Sequence, residues 1–88
     1  MKLGFTEKFY KDLDNLNDKK IKERIVKVID ECKRANLPSE IRNLKKLEGY
    51  DGFYRIRVGD FRIGIEIKAG VICFYRVANR KDIYKIFP

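Results

Sequence analysis

The 88-residue sequence predicts an α+β fold: an N-terminal strand and helix hairpin packed on one face of a twisted, mainly antiparallel sheet, closed by a short C-terminal turn. Three observations predict it. Apolar residues recur at helical spacing as far as Cys32, and from Phe53 the period changes to two. The segments after Phe53 are joined by loops so short that they pair as an antiparallel meander. At this length residues 1–88 form a single domain, burying about 60–65% of the surface that the unfolded chain exposes. A hydrophobic share of 44% suits a globular chain rather than a disordered one.

Lys2 to Phe5 read as a short strand. Thr6 is a helix N-cap, and Phe5 and Tyr10 stand at the spacing of a hydrophobic staple. Phe9, Leu13 and Leu16 follow at i, i+4, i+7, giving a helix from Glu7 to Leu16. Asn17-Asp18 breaks it and caps the next one. There Ile21, Ile25, Val28, Ile29 and Cys32 form one stripe, ending near Ala35-Asn36 with Pro38 beyond. Leu37 to Gly52 reads as a polar connection, rich in turn formers from Lys45 onward. Phe53–Val58, Phe61–Ile67 and Val71–Ala78 are the strands, separated by Gly59-Asp60 and Lys68-Ala69-Gly70. The tail, Arg80 to Phe87, suits either a helical turn or an edge strand.

Alternation along the strands sorts the side chains by face. Tyr54, Ile56 and Val58 share one face, and Phe53, Arg55 and Arg57 the other. Phe61, Ile63, Ile65 and Ile67 oppose Arg62, Gly64 and Glu66. By the same parity Val71, Cys73, Tyr75 and Val77 oppose Ile72, Phe74 and Arg76. The apolar sets belong under the helices. Arg55, Arg57, Arg62 and Arg76 then converge on the opposite face, with Lys45 and Lys46 before the first strand and Arg80 and Lys81 after the third. A solvated sheet face ordinarily mixes signs, whereas this one sets four arginines against Glu66 alone. Arginine forks onto phosphate, so the pattern predicts a phosphate-binding face, with Phe53, Phe74 and Tyr84 as stacking surfaces suited to single-stranded RNA.

The composition agrees. Lys and Arg number 21 against 13 acidic residues, for a net charge of +8, which calls for an anionic partner. Five of the eight arginines lie between Arg55 and Arg80. The chain has no histidine, which excludes Ser–His and Cys–His nucleophile systems and His-containing zinc sites. Cys32 and Cys73 stand at apolar positions with no C-x-x-C, and read as reduced core thiols of a cytoplasmic protein. Neither a signal-peptide pattern nor an apolar run of about 18 residues occurs, so no membrane partner is expected.

The order strand, two helices, meander is carried by specific residues. Lys46-Leu47-Glu48-Gly49, then Tyr54-Arg55-Ile56-Arg57-Val58-Gly59-Asp60-Phe61-Arg62-Ile63, then Arg76-Val77-Ala78-Asn79-Arg80-Lys81-Asp82-Ile83-Tyr84 resemble the RelE/ParE superfamily of type II toxin–antitoxin toxins, and most its RelE-like branch. The similarity spans essentially the whole chain. It implies a metal-independent, cofactor-free endoribonuclease that cuts mRNA in the ribosomal A site and is held inactive by a cognate antitoxin. By carry-over Arg62 lies at the scissile phosphate and Arg80 stabilises the same charge or protonates the leaving oxygen. Tyr84 orients or stacks on the substrate, and Arg55 and Arg57 take the family's basic strand positions. Lys45, Lys46, Arg76 and Lys81 complete the nucleic-acid-binding set. Arginine does not lose its proton, so Tyr84, Lys81 or the ribosome would supply any base.

Two further readings keep the fold. A ParE-like relative would poison DNA gyrase by binding it, and a plain basic module would bind RNA or the ribosome without cutting. In either toxin reading the antitoxin is expected to be an acidic, partly disordered segment that folds over the basic face or displaces the C-terminal turn.

Overall fold

A computed structural model describes all of residues 1–88. Its elements run β1 (Lys2–Phe5), α1 (Glu7–Asn15), α2 (Lys19–Arg34), a 3-10 turn (Pro38–Glu40), β2 (Leu44–Lys46), β3 (Phe53–Val58), β4 (Phe61–Lys68), β5 (Val71–Asn79) and α3 (Ile83–Ile86). One sheet has the order β1-β5-β4-β3-β2; β1 runs parallel to β5 and every other pair is antiparallel. The expected α+β architecture is the observed one.

Local chemistry explains the entry into the helices. The Thr6 hydroxyl accepts from the Phe9 N–H at 3.1 Å, and the Asp18 carboxylate accepts from the Ile21 N–H at 3.1 Å. Each satisfies a backbone donor that the first helical turn leaves without a partner. The Phe5 and Tyr10 rings close the staple with centroids 5.5 Å apart. Phe9, Ile21, Ile25 and Cys32 then bury against Ile56, Val58, Ile63, Ile65, Ile72, Phe74 and Val77 of the sheet.

Two expectations are corrected. The connection after Leu37 contains β2, whose Lys45 lies opposite Arg55. Two lysines in a three-residue strand offer no apolar alternation, so the pairing rests on the backbone ladder and on Leu44 packing against the core. Of the two forms open to the tail, the helical turn is the one observed: α3 is a single turn that lies on the sheet face away from α1 and α2. There Ile83 and Phe87 bury with Leu47 against Phe53, Tyr75 and Ala78. Part of the arginine-bearing face is therefore covered by a small second core.

The second correction concerns β5. Ile65 lies opposite Phe74 while Gly64 lies opposite Arg76, so Tyr75 is the extra residue of a bulge. Uniform alternation fails at that point. Ile72, Phe74 and Val77 face the helices, and Phe74 is fully buried rather than a stacking surface. Cys73 is only partly buried, so it is not the core thiol that parity suggested, whereas Cys32 is fully buried; neither forms a disulfide. The bulge frees backbone groups from the ladder, and side chains take them up: the Thr6 hydroxyl donates to the Tyr75 carbonyl at 2.8 Å, and Asp12 Oδ2 accepts from the Val77 N–H at 3.0 Å.

Candidate nucleic-acid interface

The β3–β4 hairpin builds the site. Its register sets Arg57 opposite Arg62 and Arg55 opposite Gly64, and β2 adds Lys45 beside Arg55. Arg62 Nη1 donates to the carbonyls of Gly59 and Phe61, both at 2.9 Å, which fixes the guanidinium over the β3–β4 turn. The Arg80 N–H donates to the Asp60 carbonyl at 2.8 Å and ties the end of β5 to that turn. Tyr84, on α3, stands 57% exposed beside the group.

Electrostatics marks the convergence. Partial burial pushes the Arg62 guanidinium below the ordinary arginine range; the positive charge of Arg55 adds to this, the Tyr84 phenol opposes it, and Arg57 and Arg80 push the same way. None of Arg55, Arg57, Arg62 and Arg80 lies within ion-pair distance of a carboxylate, although five other basic side chains in the chain do. Like charges held together without counter-charge destabilise the empty site and favour an anion in it. A groove of about 330 Å³ is lined by Asn43, Lys45, Arg55, Arg57 and Arg62, with Leu44. It shares Lys45 and Arg55 with a second groove of about 470 Å³, walled by Lys46, Glu48, Tyr50 and Tyr84.

The remaining expected residues separate from this centre. Arg76 does not join it. The bulge turns its side chain to α1, where Nε and Nη2 donate to the two Asp12 carboxylate oxygens at 2.8 and 3.1 Å. The Asp12 hydrogen bonds hold the Arg76 guanidinium above its ordinary value, as in a structural ion pair. Lys46 borders the second groove but lies 3.7 Å from Asp51, and Lys81 is exposed in the turn after β5. Gly64 has a structural reason: a Cβ there would lie 2.5 Å from the Phe87 ring, so the residue is a notch for that ring. Tyr50 was not singled out in the sequence, where a tyrosine in a Gly-rich turn carries no periodic signal. No group of three or more His, Cys, Asp or Glu side chains gathers anywhere to hold a metal ion. No helix is long and apolar enough to cross a membrane.

The family described as the ParE toxin of the type II toxin–antitoxin system, parDE, matches residues 3–84. Toxin RelE3 of Methanocaldococcus jannaschii is 44% identical over 89 residues, spanning 100% of both chains. The crystal structure of a RelB–RelE antitoxin–toxin complex from Methanococcus jannaschii superposes with a TM-score of 0.82 at 42% identity, covering 97% of this chain and 99% of the matched one. The archaeal RelE–RelB complex of Pyrococcus horikoshii OT3 shares the fold, with a TM-score of 0.74 at 24% identity over 93% of this chain and 97% of its own.

Proposed function

The chain belongs to the RelE/ParE superfamily of type II toxin–antitoxin toxins, as a toxin of the RelE family, and we propose that it is an endoribonuclease that cuts mRNA in the ribosomal A site. The observation that carries this reading is the set of four guanidiniums, Arg55, Arg57, Arg62 and Arg80, gathered without a carboxylate and flanked by an exposed tyrosine.

RNA contains its own nucleophile. The 2′-oxygen attacks the adjacent phosphorus, the bond to the 5′-oxygen breaks, and a 2′,3′-cyclic phosphate and a 5′-hydroxyl result. The protein must align the attack in line and stabilise the extra negative charge of the pentacoordinate transition state. Arg62, pinned by two carbonyls, and Arg80, tied to the same turn, supply that stabilisation. Arg55, Arg57 and Lys45 hold the flanking phosphates, and Tyr84 orients the substrate by stacking. Neither Arg55 nor Arg57 can accept a proton, so the rate derives from alignment and charge stabilisation, with Tyr84, Lys81 or the ribosome assisting proton transfer. Relatives crystallise with RelB, and an acidic antitoxin segment laid over the arginines would neutralise this chain in the same cytoplasm as its ribosomes.

The match to the ParE family favours a second reading, inhibition of DNA gyrase by binding. One pair of assays separates the two. Purified protein is added to an in vitro translation reaction with mapping of mRNA ends, and to a gyrase supercoiling reaction. Cuts at A-site codons, reduced about 10²–10³-fold by Arg62→Ala or Arg80→Ala, support the nuclease. Loss of supercoiling with intact mRNA overturns it.

A further inference from the structure

A third groove, of about 240 Å³, opens between α2 and the rim of β3, where Arg24, Lys27, Arg42 and Arg57 stand against Glu31 alone. Glu31 is already engaged, accepting from Arg42 Nε at 3.0 Å, whereas Arg24, Lys27 and Arg57 have no carboxylate within ion-pair distance. Helical spacing explains the row. Residues 24, 27 and 31 lie at i, i+3 and i+7, so they share one side of α2, next to its buried stripe of Ile21, Ile25 and Cys32. The fold brings them to β3 at two points. Gly59, at φ of 60°, leaves room for Arg24: a Cβ there would lie 3.0 Å from Arg24 Nη1. Asn43, at φ of 63°, turns the chain just before β2 begins, and its carbonyl accepts from the Arg57 N–H at 3.2 Å. Arg57 therefore lies just past Ile56, the last residue that β2 pairs, and borders the grooves on both sides.

The three grooves are linked in pairs. Asn43 and Arg57 line both this groove and the arginine groove, and Lys45 and Arg55 line both the arginine groove and the one beside Tyr84. We propose that the groove beside α2 is a backbone-tracking extension of the RNA site, in which Arg24 and Lys27 take two further phosphates of the single strand that lies across the arginines. Uncompensated charge calls for a polyanion, and the shared residues call for the same strand. The lining decides what is read. Apart from Val28 and Val58 every side chain there is charged or an amide, with no aromatic on which a base could stack. Such a tract grips the strand without selecting its sequence. Cβ atoms at i and i+3 on a helix stand about 5–6 Å apart, close to the spacing of consecutive phosphates in an extended strand. The tract deepens the nuclease reading and rests on it for the identity of the strand: the scissile phosphate stays at Arg62, and Arg24 and Lys27 hold the flank. Interactions made equally with substrate and transition state tighten capture without changing the rate of the bound complex, so these are binding residues.

The test uses purified full-length protein and 2′-O-methyl oligouridylates, which bind but lack the attacking hydroxyl. A hexamer carries enough phosphates for the arginine groove, and a decamer carries enough to reach α2 as well. At about −0.7 per phosphate, the slope of log K against log salt is expected to steepen from about −3.5 for the hexamer to about −4.9 for the decamer. Arg24→Gln and Lys27→Gln should each reduce the magnitude of the decamer slope by about 0.7 and leave the hexamer slope unchanged. Lys33→Gln, which removes an exposed charge from the same helix outside the groove, should leave both slopes as they were. In NMR spectra the backbone amides of Arg24–Glu31 should shift with the decamer and not with the hexamer. Equal slopes for the two lengths, or equal losses from Arg24→Gln and Lys33→Gln, overturn the tract. So does a blunt RNA duplex whose binding falls with Arg24→Gln while that of the decamer does not, which would assign the groove to a separate folded RNA. Failure of the nuclease reading is separately visible: mRNA stays uncut in the translation assay while the length dependence of binding persists.

Discussion

Arg76 and Asp12 form a two-pronged ion pair between β5 and α1, with Nε···Oδ2 at 2.8 Å and Nη2···Oδ1 at 3.1 Å. The side chains are only 22% and 17% exposed, and the same Oδ2 holds the Val77 N–H that the bulge released. Asp12 therefore joins a helix, an arginine and an irregular strand at one point. Asp12→Ala would leave a half-buried guanidinium and a backbone donor without partners. The expected loss is about 2–3 kcal/mol, or roughly 10–15 °C in a thermal melt of a domain this size. In a double-mutant cycle with Arg76→Ala the two losses should fall well short of additive, because they remove the same interaction.

That pair also shows where sequence reasoning reaches its limit. Strands β3 and β4 were legible because Tyr54-Ile56-Val58 and Ile63-Ile65 alternate without interruption and pack on the core side, Ile56, Val58, Ile63 and Ile65 fully and Tyr54 in part. The helix entry was legible because Thr6, Phe5 and Tyr10 act within a few residues of one another. A bulge has no such local signature. Cys73, Tyr75 and Val77 alternate as well as any strand, and only the pairing of β5 with β4 shows that Tyr75 is supernumerary. The reassignment of Arg76 follows from that one residue. Arg55, Arg57 and Arg62 lay on the regular part of the sheet, so their convergence was legible. Their confinement by α3 was not, since the Phe87–Gly64 contact joins positions 23 residues apart through a notch that looks like an absent side chain.

Phe87 fills that notch closely enough to make a simple cycle informative. In Gly64→Ala the new methyl would lie 2.5 Å from ring carbons of Phe87, so the ring must move and take α3 and Tyr84 with it. Overpacking of this kind typically costs about 1–3 kcal/mol. The expected result is a lowered melting temperature and at least about tenfold slower cleavage. Adding Phe87→Ala should remove the clash and restore stability to that of Phe87→Ala alone. Equal destabilisation by Gly64→Ala with and without the Phe87 ring would show that the notch is not what the glycine provides.

Cys32 makes stability sensitive to alkaline pH. Burial, with a smaller contribution from Glu31, raises its thiol from 9.0 to about 11. Below pH 9 the thiol is protonated in both folded and unfolded chains and its contribution is fully present. As pH rises past 9 the unfolded chain loses the proton first, so stability declines until about pH 11. A shift of this size amounts to about 2–3 kcal/mol. Chemical denaturation across pH 8–11 should show the decline, and Cys32→Ala should flatten most of it. A smaller decline should persist through Tyr75, whose hydroxyl donates to Glu66 at 2.9 Å and is raised chiefly by that bond.

The arginine array should announce itself in the salt dependence of RNA binding. Each phosphate neutralised on a single strand contributes about −0.7 to the slope of log K against log salt. If Arg55, Arg57, Arg62, Arg80 and Lys45 each meet one phosphate, a 2′-O-methyl oligonucleotide should bind with a slope of about −3.5. Arg57→Gln should reduce its magnitude by about 0.7. Arg76→Gln should leave it unchanged, because Asp12 already neutralises that charge on the far side of the sheet. Fluorescence anisotropy between about 50 and 200 mM salt distinguishes these outcomes. A slope that responds equally to Arg76→Gln and Arg57→Gln would mean that net charge alone attracts the RNA, and that the register pairing Arg57 with Arg62 has no part in placing its phosphates.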